Sequence, residues 1–166
     1  YDNGDFFFMR RVRDDAERRE LGAPEGTRYV VQSIERDDGV ETGRYVFVDD
    51  ALRVLRDDDR PGYAAGYDPR TRDWYRQAKH AAKPIKTPPY LFFSNRKVGM
   101  TVASPGADGR HVVGADILLE TLGRGLAERK VTPGAQVALV NRGGEVIAHE
   151  AVERLVAQGK ANGERP

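Results

Sequence analysis

Apolar and polar positions alternate in short runs along most of this chain, and the period of the alternation assigns the elements. Phe6-Phe7-Phe8-Met9 opens a strand over residues 5–12, rich in aromatic and β-branched side chains. The charge run at 13–20 reads as a solvated turn or short helix. Residues 29–34 and 44–48 read as two more strands, joined by a slightly long loop around Asp37-Asp38-Gly39. Asp50 stands where it caps a short helix through 51–55. Residues 57–67 carry three Asp, two Gly and a Pro, and read as loop. Good helix formers fill the second half of 67–82, and Pro84, Pro88 and Pro89 end that helix. Strands are expected at 90–93, 98–103 and 111–118. Leu119, Leu122 and Leu126 then have helical spacing within 118–129. Strands 136–140 and 145–149 flank Asn141-Arg142-Gly143-Gly144 as a hairpin, with a short helical tail after it. No strand–helix–strand alternation recurs, so the expected class is α+β with an antiparallel sheet flanked by helices.

Composition narrows the function more than the fold. The chain has 166 residues, 39% hydrophobic and 32% charged, enough for a core beneath a charged surface. Lys+Arg number 27 against 26 Asp+Glu, a formal net charge of +1, which argues against a dedicated nucleic-acid binder. Cysteine is absent, which removes disulfides, thiolate nucleophiles and Cys-ligated zinc. No apolar run approaches the ~20 residues of a membrane span. The start at Tyr1 without Met and the stop after Gly163-Glu164-Arg165-Pro166 read as the ends of a piece cut from a longer protein.

Catalytic motifs are missing. There is no Gly-x-Ser-x-Gly elbow, His-Glu-x-x-His helix or Gly-x-x-x-x-Gly-Lys-Ser/Thr loop. Asp57-Asp58-Asp59 lacks the alternating ligands and distal Glu of a calcium loop and reads as a solvated acid run. His80, His111 and His149 have no metal-type spacing, so neither a metal nor a cofactor is expected. Arg10-Arg11-Val12-Arg13 reads as a solvated face.

The informative stretch is Tyr67-Asp68-Pro69-Arg70-Thr71-Arg72-Asp73-Trp74-Tyr75. It resembles the motif of Cache sensor domains, the extracytoplasmic PAS-like ligand-binding modules of bacterial chemoreceptors, sensor kinases and membrane-bound cyclases. Asp2-Asn3-Gly4-Asp5-Phe6, Pro89-Tyr90, Gly99-Met100-Thr101 and Val113-Gly114-Ala115-Asp116-Ile117 are similar to other strands of that family. Val140–Ala148 is similar to the opening hairpin of the membrane-proximal module of double Cache domains. The resemblance implies a membrane-distal PAS-like module over 1–118 without the family's long N-terminal helix. A connector helix over 119–133 follows, and 134–166 begins a membrane-proximal module or forms a trailing hairpin. In amino-acid-binding members, the pattern is Tyr, four residues, Arg, one residue, Trp-Tyr, then a distant Asp. Tyr67, Arg72, Trp74 and Tyr75 match it, and Asp116 follows Tyr75 by 41 residues. The resemblance thus implies that Arg72 and Trp74 hold a carboxylate, while Tyr67, Tyr75 and Asp116 hold an ammonium, with Tyr90 on the pocket wall. Asp73 departs from the family, where Pro is common.

The residue chemistry agrees. A free α-amino acid needs a cation and an anion a few ångströms apart. Arg offers two parallel charge-assisted hydrogen bonds, Trp an indole N–H, Asp an acceptor for ammonium, and Tyr rings cation–π attraction. In a regular helix Arg72 and Trp74 diverge by about 200° and cannot face one ligand. The ligand reading therefore requires a helix starting near Asp73, with Asp73 as N-cap; the competing reading puts Asp68 at the N-cap and Pro69 at N1. Bland readings stand beside these: Trp74 and Tyr75 as core aromatics, Arg72 as a surface charge paired with Asp68 or with the neighbours of Arg76, Asp116 as the N-cap of a helix from Ile117, Tyr90 as packing.

Together these point to a non-enzymatic sensor, the periplasmic part of an inner-membrane receptor, tethered through segments outside this chain. It binds a small molecule such as an amino acid and no nucleic acid, and the resemblance implies a homodimer among its assemblies. The alternatives are another ligand (carboxylate, amine or purine) or a ligand-free dimerisation module. Any cyclase, kinase or phosphodiesterase activity lies in a separate cytoplasmic output domain.

Overall fold

Strand β1 (Phe6–Arg11) pairs antiparallel with β2 (Tyr29–Asp37), β2 with β3 (Val40–Val48), and β3 with β4 (Val54–Asp59). The resulting four-stranded sheet has the order β1-β2-β3-β4. The computed structural model describes residues 1–132 and 134–149. Asp38 at φ 44° and Gly39 at φ 81° form the whole β2–β3 turn. Both angles lie in the left-handed region that a two-residue type I′ hairpin demands, so the connection is shorter than expected and the strands longer.

Alternation sets the core of this sheet. Val30, Gln32 and Ile34 of β2 are buried together with Phe47 of β3. Val12, Ala23, Val30 and Phe47 pack into one cluster, with Leu21 and Tyr45 against it. The expected charge run is helix α1 (Asp15–Leu21), capped by Asp14, whose carboxylate accepts from the Glu17 N–H. Gly22 closes it in the left-handed conformation. Glu17 pairs with Arg10, whose side chain is only 13% exposed, so Arg10 is not part of a solvated face.

Two expectations over 50–66 are corrected. No helix forms at 51–55. Asp49, not Asp50, organises that turn, its Oδ1 accepting from the N–H groups of Ala51 and Arg53 at 3.0 and 2.9 Å. The chain then enters β4, because pairing with β3 satisfies more backbone groups than one helical turn can. The acid run is the end of β4, not loop: Asp57 pairs with Arg44, and Asp58 with Arg56 and Arg60. Helix α2 (Pro61–Gly66) follows, with Pro at its start and Ala64 buried. It is seated on β3 at Gly43, where an added Cβ would stand 2.3 Å from the Arg60 carbonyl oxygen.

The chain divides into two compact units, Tyr1–Arg76 with Gly106–Val112, and Gln77–Pro105 with the residues from Val113 onward. This division falls inside the 1–118 stretch. In the second unit β5 (Ile85–Lys86) and β6 (Tyr90–Leu91) both pair antiparallel with β7 (Val98–Pro105), at Ala103/Val102 and at Gly99/Val98. Pro88 and Pro89 separate them, since neither can donate to the ladder. β8 (Val112–Leu118) also pairs with β7. Helix α4 (Leu119–Ala127) and the hairpin of β9 (Ala138–Val140) and β10 (Val146–His149) complete the described part. Met100, Leu119 and Ile147 form their core, with Leu122 packed on it. Asp116 lies inside β8 and Leu118 is the N-cap of α4, so Asp116 caps no helix. The expected helical tail after His149 lies outside the described residues.

Candidate functional site

Both helix-start readings contain part of the answer. Asp68 does cap a turn, but it is a single 3₁₀ turn, Pro69–Thr71, whose Arg70 N–H donates to Asp68 Oδ1 at 2.8 Å. Helix α3 (Asp73–Lys79) begins after it. Arg72 stands between the two with extended backbone, φ −88° and ψ 139°. The first α-helical hydrogen bond, from Arg76 N–H to the Arg72 carbonyl at 3.1 Å, puts Arg72 at the cap and Asp73 inside the helix. Asp73 is thus the first helical residue and not the N-cap. The divergence that a regular helix would force between Arg72 and Trp74 does not arise.

In the first unit, Tyr67 follows α2 with extended backbone, and its carbonyl accepts from Arg36 Nη2 at 2.7 Å. Its ring belongs to a run of aromatics: Phe6 at 4.7 Å, Tyr63 stacked at 6.4 Å, and Tyr45 against Tyr63 at 5.3 Å. Burial pushes the Tyr63 hydroxyl well above the ordinary phenol range, aided by the neighbouring Tyr45 and Tyr67. The Arg72 guanidinium carbon lies 5.8 Å from the Tyr67 ring centroid. Stacking of this kind orients a guanidinium plane without using its N–H donors. Asp68 is taken by Arg70, whose Nε and Nη2 lie 2.8–3.1 Å from its two oxygens. Asp68 is therefore the partner of Arg70, and the Arg70 hydrogen bonds hold its pKa below the usual carboxylate value.

Trp74 is half-buried and meets Tyr75 edge-on at 5.7 Å. Tyr75 is 5% exposed, and its hydroxyl is buried with no hydrogen-bond partner among the described residues. Burial and then the nearby Asp2 push its pKa up. A buried hydroxyl left without a partner is costly, and a ligand that reaches it removes that cost.

In the second unit, Tyr90 and Asp116 are joined through a residue outside the expected set. Thr101 Oγ1 lies 2.6 Å from Asp116 Oδ1 and 2.6 Å from the Tyr90 hydroxyl. Thr101 is itself buried, and its N–H donates to Thr87 Oγ1 at 3.0 Å. Asp116 keeps access to water, yet crowding around its carboxylate raises its pKa by loss of hydration, and the Thr101 hydrogen bond pulls it back down. The signal for Thr101 is a lone hydroxyl in the otherwise apolar run Gly99-Met100-Thr101-Val102-Ala103. The expected residues thus form two groups, Tyr67, Arg72, Trp74 and Tyr75 in one unit, Tyr90 and Asp116 in the other.

No family model matches the chain. Adenylate cyclase 1 of Rhizobium meliloti (strain 1021) is 32% identical over 151 residues, covering 90% of this chain and 22% of that protein. The methyl-accepting chemotaxis protein PscA of Pseudomonas syringae pv. tomato is 34% identical over 88 residues, covering 51% of this chain and 14% of that one. Among solved structures, the ligand-binding domain of the Pseudomonas fluorescens chemoreceptor CtaA, in complex with L-leucine, is 30% identical at a TM-score of 0.43, covering 51% of this chain and 37% of that chain. The chain spans less than a quarter of the length of the two curated relatives. In its Tyr67–Tyr75 motif, its antiparallel sheets and its similarity to parts of chemotaxis proteins and a cyclase, the chain resembles Cache-type sensor domains.

Proposed function

We propose that this domain is the extracytoplasmic sensor of a bacterial transmembrane receptor, that it binds rather than transforms its ligand, and that the ligand is a free α-amino acid. Arg72 takes the carboxylate with its planar fork, and the indole N–H of Trp74 adds a third donor. Tyr67 and Tyr75 belong to the same unit as Arg72, while in the second unit Asp116, with Tyr90 near it, is the residue that the family pattern assigns to the ammonium. The observation that carries the reading is the break at Arg72, extended between a 3₁₀ turn and a helix with the Tyr67 ring beneath its guanidinium. The orphan hydroxyl of Tyr75 adds support, because an ammonium or carboxylate satisfies it.

Calorimetric titration with a panel of L-amino acids, amines and small carboxylates tests this. At least one amino acid binds the wild-type domain, and Arg72→Ala weakens it by roughly 100-fold or more, as expected for a lost pair of charge-assisted hydrogen bonds. Failure of every amino acid to bind a folded sample, or equal binding by Arg72→Ala, refutes the proposal. A second reading, an amine ligand, is favoured by the carboxylate of Asp116 in its chain of hydroxyls. In that case amine binding survives Arg72→Ala.

A further inference from the structure

The Tyr90–Thr101–Asp116 chain has a direction that follows from counting protons. Thr101 carries one hydroxyl hydrogen. An ionised carboxylate only accepts, so the 2.6 Å contact with Asp116 Oδ1 uses that hydrogen. The 2.6 Å contact between Tyr90 and Thr101 must then be donated by Tyr90. The order is Tyr90 O–H to Thr101 Oγ1, and Thr101 O–H to Asp116. Neither hydroxyl keeps a hydrogen to offer a ligand, and the carboxylate never had one.

Thr101 is built to hold that order. It is 2% exposed on the central strand β7. Its N–H donates to Thr87 Oγ1 and its carbonyl accepts from the Thr87 N–H, both at 3.0 Å. Its β-branched side chain has few rotamers to begin with. Thr87 precedes the Pro88-Pro89 break between β5 and β6, and Tyr90 follows it, so the interruption of the ladder is where the Tyr90 side chain meets the Thr101 hydroxyl.

We infer that Thr101 is the positioning residue of an ammonium subsite in the second unit, fixing the proton order so that Tyr90 and Asp116 present a ligand with acceptors alone. This rests on the amino-acid reading above and narrows it: the group bound there is a full donor, a primary ammonium, and not a hydroxyl or a carboxylate. The same hydrogen bond holds the Asp116 carboxyl down against the loss of hydration that pushes it up, and among the described residues no charged side chain enters that balance. Without the Thr101 hydroxyl the carboxylate takes up its proton at higher pH, and affinity for a cation, which needs the ionised form, is lost earlier as pH falls.

The test uses the domain as it is, with Thr101→Val, which removes the hydroxyl at nearly constant shape, and Thr101→Ser, which keeps it. Two readouts are followed: the Asp116 carboxyl titration by carbon-detected NMR without ligand, and the pH profile of affinity for the best amino acid. In Thr101→Val the Asp116 midpoint moves up, neutral-pH affinity falls tenfold or more, and the acid limb of the profile begins at higher pH; Thr101→Ser restores all three. An Asp116 midpoint unchanged in Thr101→Val overturns the inference. Should Thr101→Val not fold, the wild-type domain decides: the 2-hydroxy acid matching that amino acid binds at least tenfold more weakly, and equal binding overturns the inference. If the wild-type domain binds no amino acid, the functional proposal fails, while the Asp116 titration still judges the role of Thr101.

Discussion

Tyr75 shows how a single side chain carries a conflict between folding and binding. Its ring is buried, which stabilises the fold, but its hydroxyl has no partner among the described residues. An unsatisfied buried hydroxyl costs about 1–3 kcal/mol. Tyr75→Phe is therefore expected to raise the stability of the ligand-free domain by ~1 kcal/mol in urea unfolding, and to weaken the amino acid that the hydroxyl meets. A variant destabilised without ligand would show that the hydroxyl is satisfied after all. Asp49 illustrates the opposite case, a carboxylate fully engaged by the N–H groups of Ala51 and Arg53 and by the Arg53 guanidinium. It was masked in the sequence by its neighbour Asp50, because both precede residues that favour helix, and only the pairing of Val54 with Val48 shows which one turns the chain.

At the scale of elements, glycine without a side chain determines what fits against the sheet. Gly43 is buried in β3, its carbonyl accepts from the Arg60 N–H at 2.6 Å, and a Cβ there would meet the Arg60 carbonyl at 2.3 Å. Because backbone and not a flexible side chain blocks the space, the strand and α2 must separate to admit it. Gly43→Ala is expected to cost ~1–3 kcal/mol, the usual range for overpacking, and to loosen Tyr63 and Tyr67 at the end of α2. Loss of protection of the α2 amides in hydrogen exchange checks this; unchanged protection with unchanged stability refutes it. The helix itself was hidden in a stretch whose Asp, Gly and Pro content reads as loop. The 3₁₀ turn at Pro69–Thr71 was half visible, since Asp-Pro announces a cap, but the extended Arg72 was not. Where a short helix stops is a matter of a few tenths of a kcal/mol locally, and tertiary packing decides it.

For the molecule as a whole, binding is linked to stability. A ligand held only by the folded form stabilises it by RT ln(1+[L]/Kd), about 2.7 kcal/mol at a hundredfold excess over Kd. In a chain of this size that is a rise in melting temperature of roughly 5–10 °C. The amino acid that binds tightest in calorimetry is expected to produce the largest shift, and Asp116→Asn to abolish it; a shift that persists in Asp116→Asn would remove the ammonium assignment.

The strands, the hairpins and the antiparallel class were legible from local chemistry, because alternation, turn residues and prolines act over a few positions. So was the Tyr67–Tyr75 motif, whose spacing needs no partner to be read. What emerged only on folding depends on residues far apart in the chain: β4 in place of a helix, the division into two units, and the hydroxyl of Thr101 meeting Asp116 and Tyr90 across paired strands. Hydrogen bonds of that kind join side chains eleven and fifteen positions apart, and no periodicity in the chain marks which oxygen will face which.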